Sequence, residues 1–81
     1  MRIRVRLFAS LREADGRPDV ALELAPGASV EDAWVALVAD HPSLAPRRAN
    51  LAASVNRRYT PFDPPLVDGD EVVFIPPVSG G

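Results

Sequence analysis

The 81-residue chain contains no cysteine. Disulfides, thiolate catalysis and thiolate metal sites are therefore excluded, and the redox compartment stays open. Lysine is also absent, and all nine basic residues are arginine. An activated carboxyl group in the protein's chemistry would select against lysine amines. A codon bias is the simpler cause, since alanine, proline and valine are also abundant. No apolar run reaches membrane-spanning length, and Met1-Arg2-Ile3-Arg4 alternates instead of forming a signal-peptide core. The expectation is a cytoplasmic protein with no membrane partner. A net charge of −2 gives no push toward nucleic acid.

What remains is a globular composition, 47% apolar and 25% charged. Eighty-one residues make one domain. A chain this short buries about 60–65% of its unfolded surface, so its core must be regular. Ile3, Val5 and Leu7 alternate with Arg2, Arg4 and Arg6, the period of a strand with one buried face. Phe8 then falls on the arginine side. Ser10 opens a short helical turn through Ala14, closed by Asp15-Gly16. Val20, Leu22 and Leu24 give a second strand, and Pro26-Gly27 is a turn signal. Ser29, followed by Asp32, reads as a capping box for a helix from Val30 to Asp40, stopped by Pro42.

Ser43 to Asn50 has no period. Leu51 to Val55 reads as a short strand, Asn56-Arg57-Arg58 as a hairpin tip, and Tyr59-Thr60 as a weak strand. Phe62 to Leu66 is a rigid connection, Asp68-Gly69-Asp70 a turn, and Glu71 to Ile75 the last strand. The order β-β-α-β-β-β points to an α+β fold of the β-grasp, ubiquitin-like type. Its mixed sheet has the first and last strands parallel at the centre and one main helix packed on one face. Residues 1–75 would form that domain and residues 76–81 an extended tail ending in Gly-Gly.

The last strand is apolar on both faces, with Val72 and Phe74 on one and Val73 and Ile75 on the other. One set meets the helix, and the other joins Phe8 in an exposed patch of the kind that marks a partner site. The tail starts at that patch. Pro76-Pro77 favour an extended path. Gly80 and Gly81 have no Cβ atoms, so they make a thread fit for a narrow tunnel, with a carboxylate at its tip.

The stretches Leu7 to Glu13, Leu51 to Asn56 and Phe62 to Gly81 resemble the family of molybdopterin synthase small subunits, the MoaD family. The strand-Pro-Pro-Val-Ser-Gly-Gly ending carries most of the specificity. The resemblance implies a sulfur carrier that binds no cofactor and is not catalytic alone. A ubiquitin-activating-type adenylyltransferase would adenylate the Gly81 carboxylate with ATP, and a sulfur donor enzyme would convert it to a thiocarboxylate. The charged carrier would dock on the synthase large subunit, insert its tail, and give sulfur to cyclic pyranopterin monophosphate. Gly81 would be the reactive residue and Gly80 part of the thread. By family position Phe8 and Ile75 would face partners, with Val73 beside them on the open side of the last strand and Pro76, Pro77 and Val78 of the tail as further partner-binding residues. Arg12 matches an arginine that pairs with acidic groups on partners.

Other residues carry weaker signals. His41, beside Pro42, fits a helix-capping role better than a metal or catalytic one. Asp68, Asp70 and Glu71 lack the spacing of a calcium loop and read as a solvated turn. Arg57-Arg58 lacks the basic field and stacking aromatics of a nucleic-acid site. Trp34 is expected on the sheet edge. Three other functions stay open: a sulfur carrier for thiamine thiazole or another pathway, a ubiquitin-like modifier conjugated through Gly81, and a binding module without tail chemistry.

Overall fold

The computed structural model describes residues 1–8, 11, 16 and 19–77. Strand alternation decides the two faces of its sheet. In β1 (Arg2–Leu7) the buried positions are Ile3, Val5 and Leu7, and the three arginines are exposed. β1 pairs antiparallel with β2 (Asp19–Glu23) and parallel with β5 (Glu71–Ile75). β5 continues antiparallel to β3 (Ala52–Val55), which forms a hairpin with β4 (Arg58–Thr60). The five-stranded order is β2-β1-β5-β3-β4, with β5 in the middle. This is the expected mixed sheet, with the first and last strands parallel at its centre.

One helix, α1 (Val30–Asp40), covers the buried face. Its apolar residues Val30, Ala33, Trp34 and Leu37 recur at helical spacing and are all buried. The first turn has no orphaned N–H groups. The Val30 and Glu31 N–H groups donate to the Pro64 and Phe62 carbonyls, at 3.3 and 2.8 Å. The Asp32 N–H donates to Ser29 Oγ at 3.2 Å, and the Ser29 N–H to Asp32 Oδ2 at 2.8 Å, completing the capping box. The Phe62–Leu66 connection thus docks on the helix start. At the other end the His41 N–H caps the Leu37 carbonyl at 2.9 Å.

Aromatic packing ties the helix to the sheet. Phe74 of β5 is fully buried and meets Trp34 edge-to-face, with centroids 5.1 Å apart. Trp34 therefore lies over the central strand, not at the sheet edge as its sequence position suggested. Its ring is too large to be screened at an edge, and Phe74 gives it a buried partner. Such a pair adds about 0.5–1.5 kcal/mol beyond the area buried. Phe62 stacks on Phe74 at 6.0 Å, and the Arg48 guanidinium lies 3.8 Å above the Phe62 ring. Arg48 also pairs with Glu31 at 2.6 Å. That hydrogen bond, opposed by partial desolvation, holds the Glu31 carboxyl below its ordinary range. The pair's stabilisation is present above the unfolded glutamate's pKa and fades as the pH falls through the lowered folded value. Both side chains are about 40% exposed, so it amounts to roughly 0.2–1 kcal/mol.

Three further expectations change. Pro42–Arg48 is a 3-10 helix, not irregular chain. Pro42 suits the first position of a helix, and Leu44 pins the segment into the core. The β3–β4 tip has two residues, not three. Val55 pairs with Arg58, and Asn56 and Arg57 have φ of 50° and 72°, a type I′ turn. Asp70 is buried, not solvated. Its carboxylate accepts from the Asn56 amide and the Val67 N–H, both at 2.8 Å, which replaces the lost water. The Asn56 side chain also accepts from the Glu71 N–H at 3.0 Å, so it clasps the β3–β4 turn to the start of β5. The helical turn expected from Ser10 to Ala14 lies outside the described residues except for Leu11. That residue is helical and fully buried, and its N–H donates to the Phe8 carbonyl at 3.1 Å.

Arg57 occupies a left-handed position that favours glycine. Arg57→Gly should raise stability by roughly 0.5–1 kcal/mol, after the added freedom of the unfolded chain is subtracted. Thermal denaturation should show a Tm about 3–6 °C higher. An unchanged or lower Tm would contradict the turn assignment.

Candidate functional site

Among the described residues no helix or strand covers the face of the sheet away from α1. Its rows follow from the registers. Arg4 lies between Ala21 and Glu71. Arg6 lies between Asp19 and Val73. Val73 continues to Ser54 and then Tyr59, and Ile75 pairs with Ala52. The face is thus charged at the Arg2 end and apolar where β5 runs into the tail. Phe8, one residue past β1, is 47% exposed, and Tyr59 is 78% exposed. Val73 and Ile75 are half-buried, unlike Val72 and Phe74 on the other side, which are fully buried. Phe8, Val73 and Ile75, the residues expected in an apolar patch, are thus exposed or half-buried.

Tyr59 and Ala52 join this patch and were not anticipated. A three-residue tip would set Tyr59 opposite Val55, on the core side. The two-residue turn sets it opposite Ser54 instead. The signal lay in Asn56, which tolerates the left-handed conformation that such a turn requires.

Pro76 is half-buried and Pro77 exposed, and neither belongs to regular structure. They continue directly from Ile75 at the patch. Arg12, Val78, Gly80 and Gly81 lie outside the described residues. A shallow recess at the charged end is lined by Arg2, Arg4, Asp68 and Glu71, among others. Within it, Arg2 is engaged by Glu23 at 2.8 Å. Among the described residues no group of three His, Cys, Asp or Glu could hold a metal ion. None of the described helices is long and apolar enough to cross a membrane. His41 acts at the helix end through its backbone N–H, as described above.

Comparison with known proteins places this fold in a family. The ThiS family model matches residues 5–81. The chain belongs to the ThiS family. The molybdopterin synthase sulfur carrier subunit of Escherichia coli is 42% identical over 81 residues, covering 98% of this chain and 99% of that one. Its counterpart in Chlamydomonas reinhardtii is 41% identical over 83 residues, covering all of both chains. Among solved structures, small archaeal modifier protein 1 of Haloferax volcanii matches with a TM-score of 0.92 at 31% identity, over 100% of each chain. The resemblance to molybdopterin synthase small subunits, read from Leu7–Glu13, Leu51–Asn56 and Phe62–Gly81, is thus matched by alignments over 98–100% of the chain. The fold is the ubiquitin-like β-grasp of these ThiS-family proteins.

Proposed function

We propose that this ThiS-family chain is the sulfur carrier subunit of a molybdopterin synthase and acts in the cytoplasm. The observation that carries the reading is the full-length similarity to sulfur carrier subunits at 41–42% identity. The reactive group is the terminal carboxylate of Gly81. A carboxylate is a poor electrophile, so a ubiquitin-activating-type adenylyltransferase joins it to AMP from ATP, with release of pyrophosphate. Sulfur from a donor enzyme displaces AMP and leaves a thiocarboxylate. That soft anion transfers its sulfur to cyclic pyranopterin monophosphate in the large subunit, and the carboxylate is regenerated. The nucleophile sits on the carrier's own backbone end, so no side chain of this chain needs to be catalytic.

The remaining residues serve delivery. The Phe8, Val73, Ile75 and Tyr59 patch grips the large subunit beside the exit of the tail. Pro76, Pro77 and Val78 lead the tail away from the sheet, and the two prolines reduce the entropy lost on insertion. Gly80 keeps the thread thin. Arg12 meets acidic groups on partners.

The match to a small archaeal modifier protein favours a second reading, conjugation through Gly81 to amines of other proteins. Activation is the same in both readings, and only the acceptor differs.

Two experiments test these roles. Removing Gly81 shifts the carboxylate back by about 3.5 Å of extended chain. The shortened protein should keep its Tm but form no thiocarboxylate with activating enzyme, ATP and a sulfur donor, as read by intact mass. Charging at the normal rate would remove Gly81 from the reaction. In the second, Phe8→Asp and Ile75→Asp are titrated calorimetrically into the synthase large subunit. Each loses burial worth about 1.5–3 kcal/mol and adds a charge to the interface, so affinity should fall at least tenfold. Unchanged affinity in folded variants would place docking on another face.

A further inference from the structure

We propose that Arg4 and Arg6 form a cationic ridge that is read by carboxylates on the docking partner, so that docking is electrostatically steered as well as apolar. This rests on the docking face described above and adds the partner's chemistry. The three arginines of β1 alternate onto the open face and are exposed. They are not equivalent. Arg2 is tied up, with its guanidinium on Glu23 at 2.8 Å and its N–H on Asp68 at 2.7 Å. Arg4 and Arg6 have Glu71 and Asp19 as register neighbours, yet among the described residues neither forms a side-chain hydrogen bond or ion pair. Among the described residues they are two cations without a side-chain partner, in a chain whose net charge is −2.

Position turns that surplus into a requirement. Arg6 is the register partner of Val73, one strand spacing of about 4.8 Å away, and Phe8 follows directly after the end of β1. A partner that covers Val73 therefore also meets Arg6. A guanidinium stripped of water and left unpaired weakens a complex, whereas one that meets a carboxylate strengthens it and fixes its register. The surface that fits this face therefore has an apolar pocket bordered on the β1 side by Asp or Glu. A partner with a basic or purely apolar border is rejected. The same charges act before contact and raise the association rate at low ionic strength.

The test is stopped-flow association with the purified synthase large subunit between 50 and 500 mM NaCl, with the tail intact. Arg4→Gln with Arg6→Gln should lower the association rate at 50 mM salt about tenfold and flatten its salt dependence. Arg47→Gln and Arg48→Gln together remove the same net charge from the 3-10 helix and should leave both quantities near wild type. Thermal scans establish that each variant is folded. The ridge is refuted if the Arg4/Arg6 variant matches wild type in rate and salt slope, or if the Arg47/Arg48 variant falls equally, which would make net charge the cause. A wild-type carrier that forms no complex at all would refute the docking reading itself, and the ridge with it.

Discussion

The parallel pairing of β1 with β5 is the contact on which the rest depends. It joins Val5 to Val72 and Leu7 to Phe74, so the two ends of the chain meet at the middle of the sheet. Alternation then assigns every neighbouring side chain. One side of the pair makes a core of Ile3, Val5, Leu7, Val72 and Phe74, all at most 1% exposed. The other side sets Arg6 beside Val73 and starts the C-terminal segment from an apolar patch. A one-residue slip would send the core side chains to solvent and the arginines inward, so the register is strongly held.

Two devices hold that pair in place without covering the open face. On the core side, Trp34 and Phe62 pack against Phe74, and Arg48 closes the stack over Phe62. The Phe62–Leu66 connection satisfies the start of α1 with its carbonyls, so helix and connection dock as one layer. At the far end of the sheet, Asn56 and Asp70 join the β3–β4 turn to the start of β5, while the Gly69 N–H donates to the Arg2 carbonyl at 2.8 Å. These links all lie away from Ile75. Among the described residues, the end of the sheet that meets the tail has an apolar surface without an internal partner.

Much of this was legible in the sequence, because it depends on local periods. The alternation in β1 and β5, the Ser29 capping box and the α1 spacing each follow from a few adjacent residues. What was misread depends on distant partners. Asp70 looks like a solvated turn residue until Asn56, fourteen positions earlier, is brought against it. Trp34 gives no sign of which strand lies beneath it. Leu44 anchors the otherwise aperiodic 3-10 segment by burying its side chain in the core. The tip of the β3–β4 hairpin was misjudged by one residue, which reversed the face of Tyr59 and hid part of the patch. The family ending Phe62–Gly81 was readable as a motif, although the roles of Arg12 and the tail residues are chemical assignments and do not follow from the fold.

Sulfur delivery by a carrier needs three separable properties: a stable domain, a face that one partner recognises, and a thread that reaches into that partner. The β-grasp supplies the first through its core side; under the proposed function the open side supplies the second, and the C-terminal segment begins beside Val73 and Ile75. The most direct measurement is an NMR footprint. Backbone and methyl signals of the labelled carrier are followed while unlabelled synthase large subunit is added. Changes should concentrate at Phe8, Ala52, Tyr59, Val73, Ile75 and the residues after them, with Val35 and the rest of the outer face of α1 undisturbed. A footprint centred on α1 or on the Pro42–Arg48 segment, with the open face of the sheet unchanged, would contradict the account.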